Sequence, residues 1–218
     1  MKKTFIILVI ATPLLSFTLL PVVFIRSDVK KIDSLLVLPP ATQIGLISKG
    51  STGPIDEEFS RKTHDLTHSY LQKSFSTSVK TKYFSGDSAT RSKLDNFIAT
   101  VTSKINFEKQ ARKYHLPDSI VTLFDTAKVH FVFCTSNIGF NRTRDNFINT
   151  YQRREMINFF IIPMYKPHES FSSVTCMILD LRQKNILYFE RDVLENRDPT
   201  DINIIKQQLG RIINHCFI

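Results

Sequence analysis

Tryptophan is absent from this chain, and cysteine occurs only three times, at Cys134, Cys176 and Cys216. The number is odd, no C-x-x-C pair is present, and Cys134 and Cys176 sit inside apolar strand-like runs. An exported domain stapled by disulfides is thereby excluded, and the thiols read as small core hydrophobes. Internal repeats and low-complexity tracts are also missing, and 42% hydrophobic residues with 18 Phe exclude disorder. A dense basic stripe is lacking as well. The formal net charge of +9 is spread along the chain, apart from knots at Arg142–Arg144 and Arg153–Arg154. No nucleic-acid partner is expected; a solvated positive face suits anionic lipid or polymer.

What is present begins at the N-terminus. Lys2 and Lys3 precede an apolar, uncharged run from Phe5 to Ile25, and Arg26, Lys30 and Lys31 follow it. That pattern directs a chain to a membrane. No A-x-A-like small-residue pair lies between Leu19 and Arg26, and no cysteine near the leader offers a lipid anchor. An uncleaved anchor is therefore favoured over cleavage, despite Pro13 and Pro21. Residues 1–31 read as a signal or membrane-anchor segment, with the membrane contacted through residues 5–25, and residues 32–218 as one extracytoplasmic domain. Deleting residues 1–30 is expected to leave that domain folded.

Within the domain, Ser34–Leu38 closed by Pro39 and Pro40 reads as a buried strand, followed by a glycine-bearing loop. A helix is expected from Asp56 to Phe75, with Phe59, Leu66 and Tyr70 on its inner face. Val79, Thr81 and Tyr83 alternate as a strand. Asp87 or Ser88 caps a helix whose Leu94, Phe97, Ile98, Val101 and Ile105 give the cleanest amphipathic pattern. A short helix near Ser119–Thr126 precedes a strand at Val129–Cys134, and Asn141–Arg154 is a loop or exposed helix. Ile157–Met164 reads as another buried strand. Val174–Leu181 and Ile186–Arg191 form a hairpin whose turn puts Asn185 in the left-handed region. A closing helix after Asp198–Pro199 carries Ile202, Ile205, Leu209 and Ile212, with Gly210 packed closely on the sheet. The expected fold is α/β: a single domain with a mixed sheet of about five or six strands packed with helices, preceded by an N-terminal hydrophobic helix.

Each chemical motif falls short of its template. Gly45-Leu-Ile-Ser-Lys-Gly50-Ser51-Thr52 has phosphate-loop glycine spacing, but Ser51 occupies the place of the phosphate-binding lysine. His64-Asp-Leu-Thr-His68 has the histidine spacing of a zinc helix, with Asp65 in place of the glutamate base and no third ligand. That pair is expected on the solvated flank of its helix. His115 with Asp118, and His168 with Glu169, stand beside prolines, where turn chemistry explains them. No G-x-S-x-G elbow is present, and His215 with Cys216 lies at the chain end. Asn141-Arg142-Thr143 matches a glycosylation sequon. No catalytic, cofactor-binding or metal-binding residue is assigned.

The order of elements carries a resemblance. The domain opens on Leu35–Pro40 (LLVLPP) and closes on Ser172–Asp192 plus a helix, with Asp180 before the turn and Tyr188 and Phe189 on the partner strand. This layout resembles bacterial envelope proteins of the curli-secretion lipoprotein, penicillin-binding-protein-activator lipoprotein and TolB N-terminal type. Here the lipid-bearing cysteine is missing, and Lys184–Asn185 stand where a turn glycine is usual. The resemblance implies a non-catalytic α/β module that docks onto an envelope protein partner or onto copies of itself. The expected location is the cell membrane, single-pass, with the domain in the periplasm or extracytoplasmic space. The alternative is an extracytoplasmic hydrolase using His64, His68 or His115.

Overall fold

A computed structural model describes residues 21–25, 29, 32–75, 79–127, 129–158 and 167–217. Among them, one mixed sheet of seven strands carries six α-helices and a 3-10 turn at Thr122–Ala127. The strands are β1 (Val22–Ile25), β2 (Ser34–Val37), β3 (Ala41–Ile47), β4 (Lys80–Tyr83), β5 (Phe131–Arg142), β6 (Ser170–Asp180) and β7 (Asn185–Glu195). The helices are α1 (Glu57–Ser74), α2 (Ser88–Lys104), α3 (Glu108–Lys113), α4 (Asp118–Val121), α5 (Arg144–Asn158) and α6 (Ile202–Phe217). Strand order across the sheet is β1-β7-β6-β5-β2-β4, and β3 continues beyond β2 along the same side of β5. Pairs involving β2 or β3 are parallel; β5–β6, β6–β7 and β1–β7 are antiparallel.

Both faces of the sheet are covered, which explains why its central strands are near-continuous apolar runs. Leu36, Leu38, Val132, Cys134, Met177 and Phe189 share one core with the α2 residues Leu94, Ile98 and Val101. Leu35, Val37, Phe133, Cys176, Ile178 and Tyr188 share the other with Leu71 of α1 and Ile205, Leu209 and Ile212 of α6. The three cysteines are free and buried, and burial pushes the Cys176 thiol up to about 12. Asp56 Oδ1 accepts from Phe59 N at 2.9 Å to start α1, and Asp87 Oδ1 accepts from Thr90 N at 2.7 Å to start α2.

The structure departs from the sequence reading at several points. The last four residues of the expected apolar leader, Val22–Ile25, are not helix; they form edge strand β1, paired with Tyr188–Arg191 of β7. Residues 1–20, including the rest of that leader, lie outside the described residues. A strand, β3, replaces the expected loop at Gly45. Pro39 and Pro40 cannot donate to a ladder, so they interrupt the β2–β3 line without ending it. Helix α5 reaches Asn158, so Ile157 and Asn158 end a helix instead of starting a strand, and 159–164 lie outside the described residues.

In the hairpin, Asp180 Oδ1 accepts from Arg182 N and Gln183 N at 2.8 and 2.9 Å. Lys184, not Asn185, takes the positive φ of 50°. Ile202 is exposed instead of joining the α6 stripe. Gly210 faces α1, where an added Cβ would stand 3.1 Å from the Tyr70 hydroxyl, and not the sheet.

One buried cation ties several of these elements together. Arg191 is 1% exposed, and burial pushes its guanidinium down to about 10. Its Nη2 donates to the carbonyl of Thr102 in the last turn of α2, and its Nη1 stands 3.5 Å from Asn106 Oδ1. Its Nε stands 3.4 Å from Thr175 Oγ1 in β6, and the cation lies 5.5 Å from the centre of the Phe189 ring. The negative end of the α2 dipole and an aromatic face supply the compensation that a carboxylate usually gives.

These contacts predict different outcomes for two truncations. A chain starting at Pro21 keeps every described contact and should melt with the parent. A chain starting at Ile32 loses β1 together with buried Val22, Phe24 and Val29. It should be less stable by at least about 3 kcal/mol, since each such side chain contributes roughly 1.5–3 kcal/mol on burial. Equal urea midpoints for the two would show that β1 is peripheral.

Candidate functional site

A cleft of about 360 Å³ opens between α1 and α2, lined by Pro40, Thr42, Ser60, Arg61, His64, Arg91 and Asp95. It lies beyond the carboxyl end of β2. There the neighbouring β4 stops at Tyr83, while the chain runs on past two prolines into β3. Crevices of this kind, outside the carboxyl ends of parallel strands, are where open α/β sheets bind ligands.

The buried line of α1 is Thr63, Thr67 and Leu71, not the expected Phe59, Leu66 and Tyr70, which are only half-buried. Thr63 Oγ1 donates to Pro199 O at 3.2 Å, and Thr67 Oγ1 accepts from Asn137 Nδ2 at 2.9 Å. This rotation of α1 turns His64 and His68 away from solvent and towards α2. The solvated flank expected for them is therefore corrected: the His64 side chain is only 21% exposed.

The two imidazoles stack, with ring centres 6.0 Å apart and planes inclined by 13°. Arg91 Nη2 lies 2.7 Å from His64 Nε2, and a guanidinium can only donate. His64 Nε2 is thus the acceptor, so Nδ1 carries the proton and donates to Asp65 Oδ1 at 3.0 Å. Arg91 Nε also stands 3.9 Å from Asp95 Oδ2. Burial holds the Asp95 carboxyl above the usual range, against the pull of Arg91 and His64.

His68 Nε2 lies 3.0 Å from Gln72 Nε2, its ring meets Tyr83 edge-on at 6.2 Å, and its Nδ1 is buried with no hydrogen-bond partner. Its pKa is lowered, first by burial and then by His64 and Arg91.

The chemistry available follows from these contacts. Both ring nitrogens of His64 are engaged, so no lone pair remains for general-base work in this arrangement. The Ser60 hydroxyl accepts from Ile44 N at 2.9 Å and stands 3.4 Å from Ile44 O, which ties it to the backbone. Arg61 and Arg91 instead make the cleft a place for an anion or an acidic side chain. Among the described residues, no group of three His, Cys, Asp or Glu side chains is arranged to hold a metal ion.

Other sequence candidates are dispersed. His115 is exposed and bridges to Asn185, far along the chain from His64 and His68, while Asp118 pairs with Lys184 at 2.7 Å. His168 faces Glu195 at 3.5 Å instead of Glu169. Gly45 lies inside β3, and the chain doubles back so that Ile55 bridges to it; the phosphate-loop spacing forms no strand–loop–helix unit. Asn141 Nδ2 donates to Asp198 Oδ1 at 2.8 Å. Arg91 and Asp95 were missed by sequence reasoning. Their i, i+4 spacing with Leu94 between them was the only signal, and it reads as an ordinary surface pair.

The chain matches no family model and no curated protein. Solved structures give distant likenesses. The PelC dodecamer from Paraburkholderia phytofirmans aligns over 85% of this chain and 88% of its own, with 5% identity and a TM-score of 0.36. The LpoB C-terminal domain from Salmonella enterica aligns over 75% and 83%, with 7% identity and a TM-score of 0.31. Lipoprotein GNA1162 from Neisseria meningitidis aligns over 84% and 95%, with 9% identity and a TM-score of 0.34. Likenesses this distant assign neither a family nor an activity.

The lowered pKa of His68 has a definite consequence for stability. The unfolded chain takes up the His68 proton near its ordinary value of 6.5, whereas the folded chain resists it to lower pH. Stability contributed here is present above about pH 6.5 and falls as pH drops below it. Thermal melts between about pH 7.5 and pH 5.5 should show the parent losing more than His68→Gln over that interval. Parallel curves for the two proteins would contradict this.

Proposed function

We propose that the chain is a membrane-tethered, non-catalytic binding module of the bacterial envelope, with the domain from Pro21 onward on the extracytoplasmic side. The observation that carries this reading is the direct passage of an apolar sequence into the sheet. Only Pro21 separates the uncharged run Phe5–Leu20 from edge strand β1. The domain is therefore held within a few ångströms of whatever takes up that run.

The uncharged run from Phe5 to Leu20 is sixteen residues long, against the roughly 20 that a spanning helix needs. Among the described residues, no helix is long and apolar enough to cross a membrane. Tethering thus rests on residues 5–20 and no longer on the full span to Ile25.

The non-catalytic part is supported by the engagement of both His64 ring nitrogens and of the Ser60 hydroxyl. The cleft then serves recognition: Arg61 and Arg91 fit an acidic segment of an envelope protein partner.

Fractionation of cells tests the tether. The full chain should remain in the membrane pellet after carbonate washing, and a chain starting at Pro21 should be released in folded form. A full-length gene product recovered from the soluble fraction, with its N-terminus near Pro21, would overturn the tether in favour of cleavage.

A further inference from the structure

Seven large apolar side chains are prominently exposed among the described residues; Val23 and Ile25 stand on the outer face of β1, and Phe107 stands at the start of α3, which packs on the face of β1 that carries Phe24. Val23 is 50% exposed, Ile25 46% and Phe107 61%. Phe107 is distant in sequence but not in space. Val22 pairs with Arg191 in the β1–β7 ladder, and Arg191 reaches Thr102 and Asn106 just before Phe107. Helix α3, which follows Phe107, packs on β1, and Arg112 lies 5.4 Å from the centre of the Phe24 ring. The chain therefore joins the sheet, coming from residues 5–20, at the same corner that presents Phe107.

Among the described residues, charge at this corner is predominantly positive. Lys104, Lys109 and Lys113 are exposed there, and the one acid among them, Glu108, is bound by Arg112 at 2.6 Å. An exposed aromatic ring amid lysines is the composition of a surface that settles into an anionic lipid interface.

We propose that this corner, Phe107 with the three lysines, lies against the anionic surface of the membrane that receives residues 5–20, and so fixes the orientation of the domain. The proposal rests on the tether and adds a second, independent contact to it. A second copy of the chain added along β1 is the competing occupant. It is disfavoured because β1 is four residues long and begins beside Pro21, which has no N–H to donate. The far edge, β4, is protected in the usual way by Lys80 and Lys82.

The absence of tryptophan makes the test direct. The full chain carrying Phe107→Trp, and separately Ile55→Trp across the sheet, is reconstituted in vesicles of phosphatidylethanolamine and phosphatidylglycerol, with and without brominated acyl chains. The expected result is a blue-shifted emission at position 107, reduced about twofold by brominated lipid, as for a ring set about 5–10 Å into the interface. Emission at position 55 should be unaffected. If the chain floats with the vesicles but position 107 behaves like position 55, the tether stands and the oriented corner is overturned. A blue shift without bromine quenching would mean that protein covers the ring, which also overturns it. Failure of the parent chain to float would remove the tether and the corner together.

Discussion

The contact between the buried guanidinium of Arg191 and the carboxyl end of α2 is the constraint on which one whole side of this molecule depends. A buried cation without a carboxylate is expensive, and it persists here because the Thr102 carbonyl, Asn106, Thr175 and the Phe189 ring surround it. In return, one side chain fixes the relative placement of β6, β7, the end of α2 and the turn into α3. Strand β1 then has a rigid partner to pair with, and Phe107 has a fixed place at the sheet corner.

Arg191 belongs to a run of three buried charges, Glu190-Arg191-Asp192, and strand alternation sends them to opposite layers. Glu190 meets His215 Nδ1 at 2.9 Å and Asp192 meets Arg211 at 2.8 Å, both on α6. Arg191 points the other way, to α2. The central hairpin therefore grips the helical layers on both faces with polar and ionic contacts at one level of the sheet. The cleft between α1 and α2 lies towards the opposite edge, beyond β2, so the cleft and the β1 corner occupy different ends of the same sheet.

Much of the scaffold was legible because its signals were strong: β2, the β6–β7 hairpin, α2 and the Ile205–Leu209–Ile212 stripe follow simple periodicity. The misses have physical causes. The buried line of α1 is made largely of threonines that bond to Pro199 and Asn137, and a hydrophobic pattern cannot register polar groups satisfied that way. The same polar seam continues where Ser172 Oγ of β6 donates to Gln208 Oε1 of α6 at 2.7 Å. Strand β1 was hidden because an apolar run bound for a membrane and an apolar edge strand have the same composition, and nothing in the sequence marks their junction except Pro21. At the cleft, the histidines were visible as a pair. Arg91, which decides the His64 tautomer, comes from a different helix, and only tertiary structure brings it within 2.7 Å of His64.

Native-state hydrogen exchange on Arg191→Met tests most directly whether this one cation organises the corner formed by β1 and α3. The account predicts that amides of Val22–Ile25 and of the segment from Ile105 to Lys113 lose protection selectively, while those of β5 and β6 keep it. Retention of parent-like protection at β1 and α3 in the variant would contradict it.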